Sequence, residues 1–133
     1  MSWLLDTHAL IWALFTPAKL GRNARDILKD SANDVRVSPI SYWEISLKSG
    51  LGKLVLPGTA SADIPAAALQ LGLREDPLDS QTLATFHRLP YAPEHRDPFN
   101  RMLVWYAIRS KHALISKDPG LPFFKVHGLK TEW

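Results

Sequence analysis

Short apolar runs alternate along this chain with longer segments whose apolar residues recur at helical spacing. Trp3-Leu4-Leu5 is such a run and stops at Asp6, and the segment from His8 to Phe15 then carries a helical pattern that ends before Pro17. Short apolar runs are typical of buried strands, and apolar positions three or four apart are typical of helices. The pattern predicts strands over 3–5, 35–37, 73–75, 113–116 and 129–132, and helices over 8–15, 22–32, 41–50, 62–71, 80–87 and 97–111.

Polar residues at the predicted helix starts support several of these boundaries. Glu44 follows Ser41 by three residues, a capping-box pattern that indicates a helix beginning there. Asp97 and Pro98 suit the N-cap and the first helical position, so they indicate the start of the longest helix. Ser80 is a further candidate N-cap. Each of the two acids therefore has a structural role that competes with a chemical one.

The alternation of strands and helices predicts an α/β fold. We expect a central, mainly parallel β-sheet flanked by α-helices on both faces, in three layers. A chain of 133 residues without an internal repeat or linker suits one domain, spanning 1–133. In such sheets, ligands bind at the carboxyl ends of the strands.

Composition narrows the class of protein. The chain has no cysteine, which excludes disulfides and thiolate metal sites and fits a cytoplasmic location. Its net charge of +3 permits a polyanionic partner without requiring one. No stretch reaches the ~18 apolar residues that would span a bilayer, so we expect no membrane partner. The five tryptophans either fill the core or form an apolar patch for self-association.

Four acidic residues lie next to predicted strand ends or helix starts. Asp6 directly follows the first strand and Asp118 closely follows the fourth. If these strands are parallel neighbours, both carboxylates reach the same edge of the sheet. Glu44 lies in the first turn of the helix after the second strand, and therefore starts from that edge. Asp97 begins the long helix, and its placement follows less directly from topology.

Such a group of carboxylates suggests a metal site. Neighbouring carboxylates raise one another's pKa, and a cation relieves that repulsion. Oxygen ligands without cysteine or paired histidines favour hard ions, Mg²⁺ or Mn²⁺. A divalent ion held by carboxylates can activate water and stabilise the leaving oxygen at a phosphodiester. Hydrolysis of a phosphodiester is therefore the chemistry that this pattern favours.

Each acid also has a structural interpretation. Glu44 could serve only the capping box, Asp97 could be only an N-cap, and Asp118 opens a good turn sequence. Asp6 is poorly explained by packing, because it ends an apolar strand. The histidines show no metal-binding spacing, and we expect His95 in a solvent-exposed loop.

Four motifs in this order resemble those of the PIN-domain ribonucleases, and more narrowly the VapC-type toxins of bacterial toxin–antitoxin pairs. No single motif is specific, but their order in a chain of this size is, and the resemblance runs from residue 3 to the C-terminus. The motifs are Leu4-Leu5-Asp6-Thr7-His8-Ala9-Leu10-Ile11-Trp12, Ser41-Tyr42-Trp43-Glu44-Ile45, His95-Arg96-Asp97-Pro98-Phe99-Asn100-Arg101-Met102-Leu103 and Leu114-Ile115-Ser116-Lys117-Asp118.

The resemblance implies a parallel sheet flanked by helices and a site that depends on Mg²⁺ or Mn²⁺. It implies an endoribonuclease that acts as the toxin of a type II toxin–antitoxin pair. It further implies a homodimer and a small antitoxin of the VapB type that blocks the site. The residues that match the family's acidic set, and would carry catalysis and metal binding, are Asp6, Glu44, Asp97 and Asp118.

Several other residues match positions beside those acids. Thr7 and Ser116 match hydroxyl positions that could bond a carboxylate or a metal-bound water. Arg101 lies one helical turn after Asp97, where it could face the cleft and meet a phosphate, or form a surface salt bridge. Lys48, four residues after Glu44, could hold the glutamate, meet the RNA backbone, or form a plain ion pair.

Asn100 departs from the pattern, since many relatives carry a second acid at that position. Either Asp97 is the ligand and Asn100 is auxiliary, which we favour, or the site is weakened. A weakened site would leave a PIN-fold module that binds RNA or protein without chemistry. Haloacid-dehalogenase-like phosphatases need an aspartate where this chain has His8. A purely structural partner protein would leave the placement of the acids unexplained.

Overall fold

The computed structural model describes residues 1–133 and contains five strands and six α-helices. The strands are β1 (Ser2–Leu5), β2 (Asp34–Val37), β3 (Arg74–Glu75), β4 (Ala113–Ile115) and β5 (Lys130–Glu132). The helices are α1 (Thr7–Phe15), α2 (Arg22–Lys29), α3 (Pro39–Gly50), α4 (Ile64–Gln70), α5 (Ser80–Ala84) and α6 (Pro98–Ser110). Short 3₁₀ helices cover Pro17–Lys19, Ser61–Asp63, Phe86–Arg88 and Leu121–His127.

All five strands form one parallel sheet in the order β3-β2-β1-β4-β5. The central strand β1 pairs with β2 on one side and β4 on the other, so that Leu4 lies between Arg36 and Leu114. The α/β prediction is therefore confirmed, including the expectation that the first and fourth strands are parallel neighbours. This arrangement brings the residues after β1 and β4 to the same edge of the sheet.

Side chains of the central strands alternate between the two faces of the sheet, and each face carries its own apolar cluster. Leu5 and Ile115 belong to the first cluster, which includes residues of α1, α3 and α4. Leu4 and Leu114 belong to the second, which includes residues of α6 and the last 3₁₀ helix. Burying a leucine side chain stabilises the fold by roughly 1.5–3 kcal/mol, so these alternating pairs fix the register of the sheet.

Several predicted boundaries or segments differ from the structure. The helix predicted over 80–87 is the short α5 followed by a 3₁₀ turn, and Asp79 rather than Ser80 is its N-cap. The helix predicted to 32 ends at Lys29. The 3₁₀ helix Leu121–His127 was not predicted, because an irregular apolar segment of that length has no clear period.

The tryptophans mostly fill the core. Trp3, Trp12 and Trp133 pack against the first apolar cluster, and Trp105 packs against the second. Only Trp43 is widely exposed, at 60%. Among the helices, none has both the length and the apolar character needed to cross a membrane.

Candidate active site

Asp6 lies where β1 passes into α1. Its backbone amide donates to the carbonyl of Ile115 over 3.1 Å, which extends the pairing of β1 with β4 by one residue. Its carboxylate caps α1, because Oδ1 accepts a hydrogen bond of 2.7 Å from the amide of Ala9. The side chain that ends the strand is thus also fixed by the helix that follows.

The carboxylate of Asp6 is buried in surroundings that do not fully stabilise its charge. Burial raises its pKa above the ordinary value, and hydrogen bonds from the Ser116 hydroxyl and the Ala9 amide offset part of that rise. The charge of Asp118 raises the pKa further, although by less. A carboxylate in this position is stabilised by a cation placed beside it.

Asp118 follows β4 in a turn that fixes its carboxylate. The amide of Gly120 donates to Oδ1 over 2.8 Å, and the backbone amide of Asp118 donates to the hydroxyl of Ser116 over 3.1 Å. Asp6, Asp118 and Asn100 line one cleft of about 410 Å³. The cleft lies at the carboxyl end of the parallel sheet, where the topology placed it.

Glu44 and Asp97 do not line this cleft, and Lys48 lies between them. The Lys48 ammonium pairs with Glu44 and lies 3.8 Å from Oδ2 of Asp97. The hydroxyl of Thr7 donates to Oε1 of Glu44 over 2.5 Å, so the buried glutamate has partners on both oxygens. Lys48 therefore holds the glutamate, as one interpretation of the sequence proposed, and also meets a second acid.

The capping-box interpretation of Ser41 and Glu44 is wrong. Helix α3 begins two residues earlier, at Pro39, and its N-cap is Ser38, whose hydroxyl accepts from the amide of Ile40 over 3.2 Å. Proline at the first helical position explains the earlier start. Glu44 consequently lies within the helix, buried and bonded to side chains rather than to the backbone at the helix start.

Asp97 is the N-cap of α6, with Oδ1 accepting from the amide of Phe99 over 2.9 Å. Its other oxygen faces Lys48. Asn100, one turn into the helix, is the residue that lines the cleft with Asp6 and Asp118. The geometry therefore does not support our preference for Asp97 over Asn100 as the ligand.

Arg101 neither faces the cleft nor forms a salt bridge. Its guanidinium donates to the carbonyls of Leu89, Pro90 and His95 over 3.3–3.4 Å, and lies 5.6 Å from the ring centroid of Phe86. Both interpretations from sequence were wrong, because a guanidinium can satisfy several carbonyls of an irregular loop. Arg101 thus orders the loop that precedes α6.

His95 lies in that loop, and the prediction that it is solvent-exposed was wrong. It is 6% exposed, and its Nε2 donates to Oδ2 of Asp118 over 2.8 Å. Its Nδ1 is buried without a partner, so the bond to Asp118 is the only polar contact of the ring. A Cβ on Gly120 would lie 2.9 Å from Cδ2 of His95, so a glycine is needed for this approach. Gly120, directly after Asp118 and Pro119, was the feature of the sequence that could have indicated this close contact.

The residues of the cleft fit a hard divalent ion. The structure holds no set of three or more acidic, histidine or cysteine side chains placed around one point. Two carboxylates, Asp6 and Asp118, and the amide oxygen of Asn100 are nonetheless present, and all are oxygen donors. Mg²⁺ is commonly bound through one or two carboxylates while it keeps several waters. Glu44 and Asp97, which sequence reasoning added to the metal ligands, are instead engaged by Lys48.

Comparisons with known proteins agree with this architecture. The family model described as PIN domain matches residues 3–127. No curated protein matches the sequence. Among solved structures, VapBC2 from Rickettsia felis bound to a DNA fragment from their promoter is similar, with 14% identity, a TM-score of 0.64 and coverage of 99% of this chain and 98% of that one.

Two further solved structures have the same fold. VapBC from Salmonella typhimurium, bound to DNA, is 16% identical with a TM-score of 0.64, and the match covers 99% of this chain and 97% of that one. FitAB bound to an IR36 DNA fragment is 22% identical with a TM-score of 0.60, and the match covers 97% of this chain and 92% of that one. At these identities the likeness shows the fold.

Proposed function

This chain belongs to the PIN domain family, and on that premise we propose that it is a metal-dependent endoribonuclease acting as the toxin of a type II toxin–antitoxin pair. PIN domains are generally nucleases. The observation that carries the proposal is the cleft at the carboxyl end of the sheet, where Asp6, Asp118 and Asn100 converge. Residues 1–133 would act as one catalytic domain, in the cytoplasm where its RNA substrate lies.

Asp6 and Asp118, with Asn100, would hold Mg²⁺ or Mn²⁺ in this cleft. When bound, such an ion supplies Lewis-acid activation of water and neutralises charge on the phosphate. The protein's own part is to hold these oxygen donors in place. The amide of Ala9 and the hydroxyl of Ser116 fix Asp6, while His95 and the amide of Gly120 fix Asp118.

The second group of acids would act beside the metal donors. Thr7, the residue after Asp6, donates to Glu44 and so couples the glutamate to the cleft. Lys48 carries a positive charge between Glu44 and Asp97. Its ammonium would leave either acid to contact the RNA backbone. We therefore keep Glu44 and Asp97 in the proposed site, as residues that hold and orient Lys48.

The similar complexes support a partner protein for this chain. The similar structures are VapBC and FitAB complexes bound to DNA. By analogy, this chain would pair with a small antitoxin of the VapB type that blocks the cleft, and would form a homodimer. An exposed apolar stripe supports a protein contact: it consists of Trp43 and Leu47 on α3 and of Leu51 directly after that helix.

A PIN-fold module without chemistry is the second candidate function. Asn100 favours it, because an uncharged amide lines the cleft where many relatives carry an acid. Such a module would bind RNA or protein and would not cleave.

Cleavage of an RNA panel by the purified protein tests the nuclease proposal. We expect cleavage with Mg²⁺ or Mn²⁺, none after chelation, and none by Asp6→Ala protein. Asp26→Ala is the matched control, since Asp26 is an exposed acid on α2 that does not line the cleft. RNA binding without metal-dependent cleavage would instead establish the module, and equal cleavage by wild-type and Asp6→Ala protein would exclude the nuclease.

A further inference from the structure

One side of the acidic cleft is built from aromatic rings. Trp12 of α1 and Trp133 line it, with ring centroids 5.7 Å apart and planes inclined at 63°. Lys117, next to Asp118, also lines the cleft, and its Nζ lies 4.9 Å from the ring centroid of Trp12. The cleft therefore has an acidic floor and, beside it, an aromatic wall that we define as Trp12, Trp133 and Lys117.

The aromatic wall is held in place by packing. Both tryptophans contact the first apolar cluster and are only partly exposed. Gly21 lies directly behind Trp133, since a Cβ at that position would come within 2.5 Å of its side chain and backbone. No alanine fits there without displacing Trp133. The glycine thus lets the terminal strand approach α2 and brings an indole ring to the cleft.

Aromatic rings and a lysine beside a phosphate site suit one kind of ligand. The bases of single-stranded RNA stack on aromatic side chains, and this recognition tolerates any base because each has a π face. A cleft of about 410 Å³ has room for one nucleotide. Bases within a duplex are already stacked on their neighbours and are not free to enter.

We propose that Trp12, Trp133 and Lys117 form a subsite that stacks one unpaired RNA base beside the phosphate held by the acidic floor. Lys117 would move from the ring of Trp12 to the adjoining phosphate, because its side chain is exposed and free to rotate. This inference rests on the proposed nuclease function and adds to the cleft a subsite that binds the base next to the phosphate.

Charge distinguishes RNA from a protein ligand at this wall. A cationic peptide side chain would compete with Lys117 for the same ring face and be repelled by it. A nucleotide brings a neutral ring for the tryptophans and a negative phosphate for the lysine. The wall is therefore complementary to a nucleotide rather than to a basic peptide.

Binding of two RNA-like probes to Asp6→Asn protein tests the subsite without interference from cleavage. The probes are fluorescein-labelled octaadenylate and an abasic ribose-phosphate octamer of the same charge, followed by fluorescence anisotropy with Mg²⁺ present. We expect octaadenylate to bind about tenfold more tightly than the abasic octamer, in line with the usual strength of base stacking on aromatic residues. Adding Trp12→Leu to this protein should bring the affinities for the two probes close to each other, which lowers their ratio toward one.

Further variants separate the parts of the wall. Gly21→Ala should also reduce the ratio, since it displaces Trp133 while leaving Trp12 and the acids unchanged. Lys117→Gln should weaken both probes to a similar extent, because its partner is the phosphate. Tyr91→Leu is the matched control, an exposed aromatic residue that does not line the cleft, and should keep the ratio. Trp12→Phe should keep part of the ratio and covers the case in which Trp12→Leu does not fold.

The outcomes distinguish this inference from the proposed function. If folded Trp12→Leu and Gly21→Ala proteins keep the full ratio of octaadenylate affinity to abasic-octamer affinity, the proposal of a stacking subsite is wrong. This holds even if Asp6→Ala abolishes cleavage. If these variants instead lose affinity for a purified antitoxin while the ratio is unchanged, the wall recognises protein and the inference is overturned. If Asp6→Ala does not alter cleavage, the nuclease proposal fails, whatever the ratio is.

Discussion

Two buried aspartates, Asp6 and Asp76, have opposite electrostatic surroundings. Asp76 is 3% exposed, and its carboxylate accepts from the Tyr106 hydroxyl over 2.6 Å, from Nε2 of His112 over 2.7 Å, and from the Arg36 guanidinium. Burial alone would raise its pKa, but these three donors together hold the pKa of Asp76 below the ordinary value. For Asp6, burial prevails over its hydrogen bonds, and the pKa is raised.

The difference separates a carboxylate whose charge the fold compensates from one that we propose is functional. The charge of Asp76 is compensated inside the protein. Burial, followed by the hydrogen bond to Asp76, raises the pKa of Tyr106 to about 12, and the bonds to Asp34 and then to Asp76 raise the pKa of Arg36. The hydrogen bonds of Asp6 compensate its carboxylate only in part, at a cleft that a second acid also lines. Burial or acidity alone would not distinguish the two; the number of donors does.

Substitution of Asp6 is expected to have the largest effect on activity. Asp6→Asn keeps an N-cap for α1, since asparagine caps as well as aspartate, but removes a charged oxygen donor. We expect RNA cleavage to fall by about a thousandfold or more, because ligation of a catalytic metal is worth several kcal/mol. Single-turnover cleavage measures the fall, and thermal unfolding should show a protein at least as stable as the wild type. A variant that unfolds would refute the view that this carboxylate is functional rather than structural.

The corresponding change at Asp76 should affect stability instead. Asp76→Ala leaves Arg36, Tyr106 and His112 without their shared acceptor, and breaking such a buried charge network costs about 3 kcal/mol or more. Urea unfolding measures the loss, and cleavage per folded molecule should be unchanged. Asp34→Ala is the matched control: Asp34 also pairs with Arg36 but is more exposed, so we expect a loss of about 1 kcal/mol or less.

A smaller effect is expected at His95. This residue pairs with Asp118 in the same way that His112 pairs with Asp76, so the two aspartates can be compared through their histidines. His95→Ala frees the carboxylate of Asp118, and we expect cleavage and Mn²⁺ affinity to fall by about tenfold, as for other residues that orient a metal ligand. Electron paramagnetic resonance of bound Mn²⁺ reports the affinity independently of activity. His95→Gln, which can still donate to the carboxylate, should recover part of the loss, whereas a purely structural role would give equal losses for both variants.

The pH dependence of stability should have opposite signs at the two aspartates. Because the pKa of folded Asp6 lies above the ordinary 3.8, the folded protein binds this proton more tightly than the unfolded chain, and stability falls as pH rises from 3.8 to the raised value. Asp6→Asn should therefore be more stable than the wild type at neutral pH, and the gain should vanish below pH 3.8. Stability from Asp76 is present above pH 3.8 and is lost as pH falls through its lowered pKa. Urea unfolding from about pH 3 to about pH 7 would measure how the free energy of unfolding changes with pH, and hence its sign at each aspartate.

Most of the sheet could be predicted, because its signal is local. Leu4 and Leu5 belong to a short continuous apolar run, which is typical of a strand buried on both faces, and Leu114 and Ile115 repeat it. Once the two runs are parallel neighbours, the convergence of Asp6 and Asp118 follows. The exact start of α3 was missed, because Ser38-Pro39 and Ser41 with Glu44 are both acceptable helix starts, and sequence spacing does not choose between them.

The rest of the site depends on contacts between residues far apart in the chain. His95 has an ordinary loop sequence around it, and its burial follows from the docking of that loop against Gly120 and Phe124. Lys48 was placed correctly beside Glu44, one helical turn away, but its approach to Asp97 depends on how α3 packs against α6. The contacts of Arg101 could not be predicted for the same reason. Its position on the helix indicates which way the side chain points, but not which acceptors lie there.

The amino-acid sequence by itself determined the α/β architecture, the order of the chemical motifs and the position of Asp6 at the end of the first strand, because apolar periodicity and strand ends are local properties. The tertiary structure alone decided that Asn100 rather than Asp97 lines the cleft, that His95 holds Asp118, and that Trp12 and Trp133 form the wall beside them. Those outcomes depend on packing distances of a few ångströms between separate elements, and residue spacing along the chain does not carry that information.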